Sequence, residues 1–304
     1  MRVIITGATG FIGRALTEAL LKEGHDLVLV TRSIPKEKSI SSVKLHFSIW
    51  FPDNESEILK EIDGADAVIN LAGEPIVGKR WTDSQKQKLL ESRVHSTRCI
   101  ARSIEKATRR PKILINASAI GYYGSRASEE LTEESAGGEG FLSEVCRAWE
   151  AHAIRVEDFG VRVVRLRTGI VLEKWGGALH LMLPPFQMFA GGWLGSGKQW
   201  MSWIHLEDLV RMIVFCLENS QINGAVNGVA PQPVTNKAFS MVLAQVLKRP
   251  CFLPVPEIAL KVLLGEMSTI LLASQKALPK KATSLGFSFQ YPEIRKALET
   301  ILAK

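Results

Sequence analysis

The sequence predicts an α/β protein: a Rossmann-like, doubly wound parallel sheet with a small, mostly helical C-terminal subdomain on the substrate side. Three observations lead to this fold class. Short apolar segments alternate with longer amphipathic ones in the first half, a glycine-rich turn follows the first apolar segment, and the alternation ends near Thr168. Alternating strands and helices place helices on both faces of a parallel sheet, because the crossover connections are right-handed.

The predicted strands are short, rich in Val, Ile and Leu, and bounded by turn residues, as a sheet covered on both faces requires. They are Val3–Thr6, Asp26–Thr31, Lys44–Ser48, Ala67–Leu71, Ile113–Ala117 and Arg162–Arg167. Apolar residues at helical spacing predict the intervening helices. These are Phe11–Glu23, Asp53–Ile62, Asp83–Thr108 and Leu142–Asp158.

Beyond Thr168 the chain becomes rich in glycine and tryptophan, and prolines separate its helical segments. The helices predicted there are Ala178–Phe189, Leu206–Glu218, Asn236–Leu247, Glu257–Leu264 and Pro292–Leu302. We therefore assign residues 1–170 to the cofactor-binding domain, which also receives segments around 200–230. Residues 171–304 form the substrate-side subdomain.

Composition excludes several classes of protein. Of 304 residues, 46% are hydrophobic and 23% charged, which is typical of a folded chain rather than a disordered or fibrous one. The four cysteines are scattered without a CxxC pair, so we expect no metal site and no disulfide framework. Reduced cysteines indicate a cytoplasmic protein, and we expect neither a signal peptide nor a membrane span, since no long apolar run occurs.

The net charge of +7 is dispersed along the chain rather than gathered in a stripe. Nucleic acid is therefore not expected as a partner, and the charge suits a small polyanion better. The expected partner is a small-molecule substrate of unknown identity, and a homodimer remains open.

The strongest motif is a glycine turn between the first strand and the first helix. Gly7 allows the tight turn, Gly10 lets the backbone approach a pyrophosphate, and Gly13 permits close packing of helix on strand. The free N–H groups of the helix start then face the diphosphate. The predicted contacts with the cofactor include the neighbouring Thr9, Phe11 and Ile12.

The end of the second strand indicates which dinucleotide binds. NAD sites usually place an acidic residue there for the ribose hydroxyls, whereas this chain has Thr31, Arg32 and Ser33. A guanidinium suits a 2′-phosphate in both charge and geometry. NADP(H) is therefore predicted in preference to NAD(H), with Thr31 and Arg32 among its contacts; the alternative is a solvated arginine that begins a loop.

Several motifs resemble those of the extended short-chain dehydrogenase/reductases of the NAD-dependent epimerase/dehydratase superfamily. The resemblance spans the chain and includes the glycine spacing, Asn70–Gly73, Asn116–Ser118 with Tyr122–Gly124, Arg167–Leu172 and Trp203–Asp208. It implies that Leu71, Ala72 and Gly73 line the ribose of the cofactor. It also implies that Ser118 lies at the cofactor and that Val171 touches the nicotinamide.

A narrower resemblance is to the atypical subgroup labelled "epimerase family protein". It is carried by Asn70–Glu74, Glu91–Arg93, Trp149-Glu150, Arg167–Gly169 and Leu272–Ala277. It implies that Arg93, on the long third helix, reaches the cofactor, whereas the residue pattern alone suggests a surface charge.

The usual catalytic pair of these families, a tyrosine with a lysine four residues later, is missing. Alignment on Glu150 places Leu142 and Cys146 at the two positions. The chain has three tyrosines, and none has lysine four residues on. The standard proton relay, in which a nearby ammonium lowers the pKa of the phenol, cannot form.

Two functions remain open. The first is an oxidoreductase with relocated acid–base chemistry, for which Ser118, Tyr122 and Tyr123 are the candidate catalytic residues and His205 is a further titratable group. The second is a non-catalytic NADP(H)-binding redox sensor or regulatory protein.

Overall fold

The computed structural model describes residues 1–34, 44–52 and 54–303. It confirms the predicted fold class, a parallel sheet between layers of helices. Asp53, where the second helix is predicted to begin, lies outside the described residues. Among the helices of the described part, none is both long and apolar enough to cross a membrane.

Within the described ranges, seven parallel strands form the main sheet. In order from β1 to β7, the strands are Arg2–Thr6, Asp26–Thr31, Leu45–Ile49, Ala67–Asn70, Ile113–Ala119, Arg162–Thr168 and Gly224–Gly228. Their order across the sheet is β7-β6-β5-β4-β1-β2-β3. Chain order reverses between β1 and β4, which is the switch point where such sheets bind ligands at the carboxyl ends of their strands.

The helices flank the sheet and build the C-terminal part. In order from α1 to α11, they are Phe11–Lys22, Glu55–Ile62, Asp83–Lys106, Phe141–Ile154, Gly177–Gln187, Leu206–Glu218, Asn236–Leu247, Glu257–Leu264, Ser268–Leu272, Lys280–Ser284 and Ile294–Ala303. Short strand pairs outside the sheet join Ile170–Glu173 to Trp203–His205, Trp200-Met201 to Val234-Thr235, and Glu130-Leu131 to Lys276-Ala277.

The core follows from the alternation of side chains along each strand. In β1, Val3 and Ile5 pack in one apolar cluster with residues of α1 and α6. Ile4, between them, packs on the opposite face with residues of α2 and α3. All three are fully buried, so both faces of the strand must be apolar, which explains why the strands read as continuous hydrophobic runs.

The sequence missed β7 and misplaced some boundaries. The five residues of β7, from Gly224 to Gly228, begin and end with glycine and contain an asparagine, so their composition does not indicate a strand. The predicted helix Leu142–Asp158 ends at Ile154 and continues as a 3₁₀ turn over Arg155–Phe159. Strand β5 extends through Ser118 to Ala119.

A row of buried polar side chains crosses three strands at the carboxyl edge. Thr6, Asn70 and Asn116 are in register on β1, β4 and β5. The Thr6 hydroxyl donates to Asn70 Oδ1 at 2.6 Å, and Asn70 Nδ2 donates to Asn116 Oδ1 at 2.6 Å. Asn70 Nδ2 also donates to Thr97 Oγ1 at 2.9 Å, and Asn70 Oδ1 accepts from the Ala72 amide at 3.3 Å. The row therefore fixes where β4 ends and where the following loop turns.

We predict that Asn70→Leu destabilises the fold by about 3 kcal/mol, because it leaves several buried polar partners unsatisfied at once. Chemical denaturation measures the loss. The exposed Asn223→Leu is the control and should change stability by less than about 0.5 kcal/mol. Equal stability of the Asn70 variant and the wild type would show that the row does not support the fold.

Candidate functional site

The glycine turn after β1 needs glycine for steric reasons at two positions. Gly7 has a φ of +70°, and a Cβ there would lie 2.7 Å from the Leu71 carbonyl carbon. A Cβ on Gly13 would lie 2.4 Å from the Gly7 oxygen. The loop therefore packs directly on the turn after β4, and helix α1 packs directly on the loop.

The start of α1 fits a bound diphosphate. Gly10 occupies the N-cap position in an extended conformation, so no side chain caps the first turn. Thr9 and Gly10 are exposed, and Phe11 and Ile12 are half-buried. Uncapped N–H groups at the positive end of a helix are a ready site for an anion. The residues present therefore suit the dinucleotide that the sequence predicts.

Arg32 is exposed directly after β2, at the same edge of the sheet. The Thr31 hydroxyl donates to the Ser33 carbonyl at 2.7 Å and shapes the turn around Arg32. A hydrogen bond from Lys79 lowers the pKa of Glu74, and the charge of Arg32 acts in the same direction. Arg32 therefore lies near the loop that follows β4, where the adenosine side of a dinucleotide would lie.

A cavity of about 360 Å³, here called the inner cavity, opens beside the carboxyl edge. The structure brings together four of the predicted cofactor residues in its wall: Ile12, Leu71, Arg93 and Ser118. Val171 lies in the strand Ile170–Glu173, next to Ile170 of the wall. The remaining predicted cofactor residues lie in the glycine turn and the start of α1, at the end of β2 and directly after it, and after β4.

Arg93 is buried, not on the helix surface that its pattern suggests. Its guanidinium donates to the carbonyls of Leu89 at 3.0 Å and Glu74 at 2.9 Å and lies 5.2 Å from the centre of the Trp149 ring. A Cβ on Gly73 would lie 3.2 Å from the Cζ atom of Arg93. Burial lowers the pKa of Arg93. The side chain therefore forms a fixed cationic part of the cavity wall.

The positions of the missing catalytic pair face this cavity. Leu142 and Cys146, one turn apart on α4, both line it. Burial raises the pKa of the Cys146 thiol to about 11, with the charge of Glu150 adding to the effect. The thiol is therefore neutral near pH 7, and α4 presents an apolar wall where a phenol and an ammonium would otherwise stand.

One turn further along α4, Glu150 is buried under the sheet edge. Its carboxylate accepts from Arg167 Nε at 2.8 Å, Arg167 Nη2 at 2.9 Å and Arg165 Nη1 at 3.1 Å. The Ser118 hydroxyl donates to the same carboxylate at 2.7 Å. Burial acts to lower the pKa of Arg167, but the Glu150 carboxylate outweighs it and raises that pKa. Bidentate geometry of this kind is the strongest form of ion pair.

Tyr122 and Tyr123 lie against the Arg167 side of this ion pair, and neither lines the inner cavity. Tyr123 is fully buried; its hydroxyl accepts from Arg167 at 3.0 Å and donates to Asn227 Oδ1 at 2.7 Å. Burial raises the pKa of this phenol, although Arg167 opposes the shift. Tyr122 has the Arg167 guanidinium 3.4 Å from its ring centre. Their catalytic role stays a prediction, and this geometry favours a structural one.

His205 lies at the start of α6, and its Nδ1 accepts from the Glu207 amide at 3.0 Å. Its ring stacks on Tyr291 at 3.9 Å between centres. It does not line the inner cavity. The geometry therefore supports a capping function for this histidine.

Sequence reasoning gave no role to Glu150, Arg167 or Asn227. Ser118, Arg167 and Asn227 are in register across β5, β6 and β7, which form a second polar row at the edge. Glu150 and Arg167 belong to two of the family motifs, Trp149-Glu150 and Arg167–Gly169, but the sequence does not show that their side chains form an ion pair. Charged residues inside an apolar strand or helix are the clue, because a buried charge requires a partner.

We predict that Tyr123→Phe lowers stability by about 1–3 kcal/mol, since Asn227 and Arg167 each lose a buried hydrogen bond. Dinucleotide affinity should change by less than about twofold, because neither the phenol nor its two partners lines the inner cavity. Tyr291→Phe, which removes a surface hydrogen bond to Glu207, is the control in both denaturation and binding. A large loss of affinity at unchanged stability would instead place the phenol at the bound dinucleotide.

Comparison with known proteins identifies the family of this chain. Residues 3–227 match the NAD dependent epimerase/dehydratase family, and residues 255–301 match a domain of unknown function (DUF1731). The chain is 45% identical over 304 residues to the epimerase family protein SDR39U1 homolog, chloroplastic, of Arabidopsis thaliana, covering 99% of this chain and 87% of the relative. It is 42% identical to epimerase family protein YfhF of Bacillus subtilis, and the match covers 100% of this chain and 98% of that relative.

Two solved structures extend the comparison. The human epimerase family protein SDR39U1 (isoform 2), solved with NADPH, superposes with a TM-score of 0.89 at 34% identity and full coverage of both chains. The nucleoside-diphosphate sugar epimerase of Corynebacterium glutamicum superposes with a TM-score of 0.79 at 35% identity, and the match covers 99% of this chain and 58% of that one. The glycine turn, the parallel sheet and these relatives together show that the chain belongs to the NAD-dependent epimerase/dehydratase family, in the atypical group called epimerase family proteins.

Proposed function

We propose that this protein is an NADP(H)-dependent oxidoreductase acting on a small molecule. The observation that carries the proposal is the inner cavity, which lies next to an uncapped helix start and leads into further space beyond it. The human relative solved with NADPH supports the choice of cofactor. The exposed Arg32 supports the phosphorylated form of the dinucleotide.

Each part of the site has a distinct role in holding the cofactor. The N–H groups of the turn from Gly7 to Gly13 would bind the diphosphate, and Arg32 would bind the 2′-phosphate. The loop Leu71–Gly73 would line a ribose, with the Arg93 guanidinium beside it. NADPH, when bound, supplies a hydride to the substrate.

The residues near the cavity restrict where the substrate obtains its proton. Because the Ser118 hydroxyl donates to Glu150, its oxygen offers lone pairs rather than a proton. It can accept a hydrogen bond from a substrate hydroxyl or from an amide. The Leu142 side chain has no proton to give, and the neutral Cys146 thiol is a weak acid. We propose that reduction here draws its proton from solvent.

A second function is a redox sensor that binds NADP(H) without turnover. The apolar pair Leu142 and Cys146 favours it, because loss of the acid and the ammonium removes a relay that contributes about 10²–10⁴-fold to such reactions. The site then reports the oxidation state of the dinucleotide to a partner surface.

We predict that Arg32→Ala weakens NADPH binding by about 10–100-fold, while NADH binding changes by less than about threefold, because only the 2′-phosphate loses a charge-assisted pair. Isothermal titration with both dinucleotides measures the two effects. Arg110→Ala is the control, since this exposed arginine precedes β5 at the opposite end of the sheet. Equal losses for NADPH and NADH would contradict the role of Arg32.

The oxidoreductase and the sensor differ in turnover. We expect the purified protein to oxidise NADPH, followed by its absorbance, in the presence of at least one class of carbonyl compound or quinone. Ser118→Ala should lower the rate by about tenfold, because an orienting hydrogen-bond acceptor is lost. Tight NADPH binding without oxidation across carbonyls, quinones and nucleotide sugars would support the sensor instead.

A further inference from the structure

A second cavity of about 640 Å³, here called the outer chamber, adjoins the inner cavity on the side of the C-terminal helices. It lies between α5, α7, α8 and the loop around Lys79 and Arg80. Each of the two spaces is within the size range of pockets that take small molecules.

The two spaces adjoin. Seven residues belong to the walls of both, and they mark the junction: Val77, Ala178, Met182, Leu194, Asn236, Ile270 and Leu271. Six of the seven are apolar, and the exception is Asn236. A molecule that reaches the Ser118 end of the inner cavity can therefore extend across this junction into the outer chamber.

The wall of the outer chamber is largely aliphatic and aromatic, with Leu181, Phe186, Phe239 and Leu263 among its residues. The wall also contains Asn236, whose side-chain amide already has partners. Its Oδ1 accepts from the Leu194 amide at 2.7 Å, and its Nδ2 donates to Met201 Sδ at 3.1 Å. The side chain is almost fully buried. It therefore helps to shape the wall rather than to bind a polar ligand.

The cations that line the chamber in the described part of the chain are already engaged. Lys79 pairs with Glu74 at 2.7 Å, and Arg80 donates to the Val262 carbonyl at 3.1 Å. The diphosphate of a nucleotide sugar needs several charge-assisted donors or an open helix start. Such a substrate would have to share these cations with their present partners and desolvate its charge against an apolar wall, which is costly.

We propose that the substrate is an elongated, mostly apolar molecule. Its reacting end lies in the inner cavity near Ser118, and its chain lies in the outer chamber. The proposal rests on the proposed function, because it names the class of substrate for the same site. It distinguishes this chain from a nucleotide-sugar enzyme by the chemistry of its cavity wall.

Binding of straight-chain 1-alkanols, from butanol to decanol, tests the proposal without requiring turnover. With NADP⁺ bound, affinity measured by titration should rise by about threefold to fourfold for each methylene group, as expected for about 0.8 kcal/mol per buried CH₂. UDP-glucose should bind more weakly than decanol. A flat series, or UDP-glucose binding more tightly than decanol, would overturn the proposal.

Two matched variants on α8 test where the alkyl chain of the ligand lies. Leu263 lines the chamber and is 72% exposed, whereas Ile258 is 75% exposed and is outside the described wall. Leu263→Glu should weaken decanol binding by about tenfold or more and affect butanol little, because a charge is placed beside the distal chain. Ile258→Glu should leave the series unchanged. Equal losses in both variants would contradict the assigned location.

NADPH affinity separates this proposal from the proposed function. Both α8 variants should bind NADPH as the wild type does, because neither residue lies in the wall of the inner cavity. If the wild type binds NADPH but shows no dependence on chain length, the substrate class is wrong and the cofactor assignment stands. If it fails to bind NADPH, the proposed function itself is wrong.

Discussion

A carboxylate and a guanidinium, those of Glu150 and Arg167, are buried together beneath the carboxyl edge of the sheet. Removing both charges from water is expensive, so each must keep its partners, and loss of one partner alone is strongly destabilising. The pair joins α4 to β6, and through Ser118 and Tyr123 it also holds β5 and the turn after it. The geometry of the inner cavity depends on this pair.

The same pair restricts the chemistry of the site. The Glu150 carboxylate accepts a hydrogen bond from the Ser118 hydroxyl, and Arg167 donates to the Tyr123 phenol, which in turn donates to Asn227. Leu142 and Cys146 then form the wall where the family usually has its proton relay. The cofactor half of the fold is retained while the acid–base half is replaced by apolar packing. An apolar chamber beyond that wall is consistent with the change.

Much of the fold could be predicted, because it rests on local patterns. Helices α6, α7 and α8 have the predicted boundaries, and six of the sheet strands coincide with predicted segments to within two residues at each end. Strand β7 was missed because tertiary pairing with β6, rather than its own composition, makes it a strand. The 3₁₀ turn after Ile154 was missed for a similar reason, since boundaries depend on packing beyond the local sequence.

By itself the sequence determined the class of fold, the glycine turn, the basic residue after β2 and the absence of a tyrosine–lysine pair. Each of these is set by residue identity at short range, where backbone sterics and charge act directly. Only the tertiary structure decided that Arg93 is buried against Trp149, that Tyr123 is buried and bonded to Asn227 and that Glu150 meets Arg167. Those contacts join residues distant in the chain, and long-range packing, not local pattern, determines which buried charges find each other.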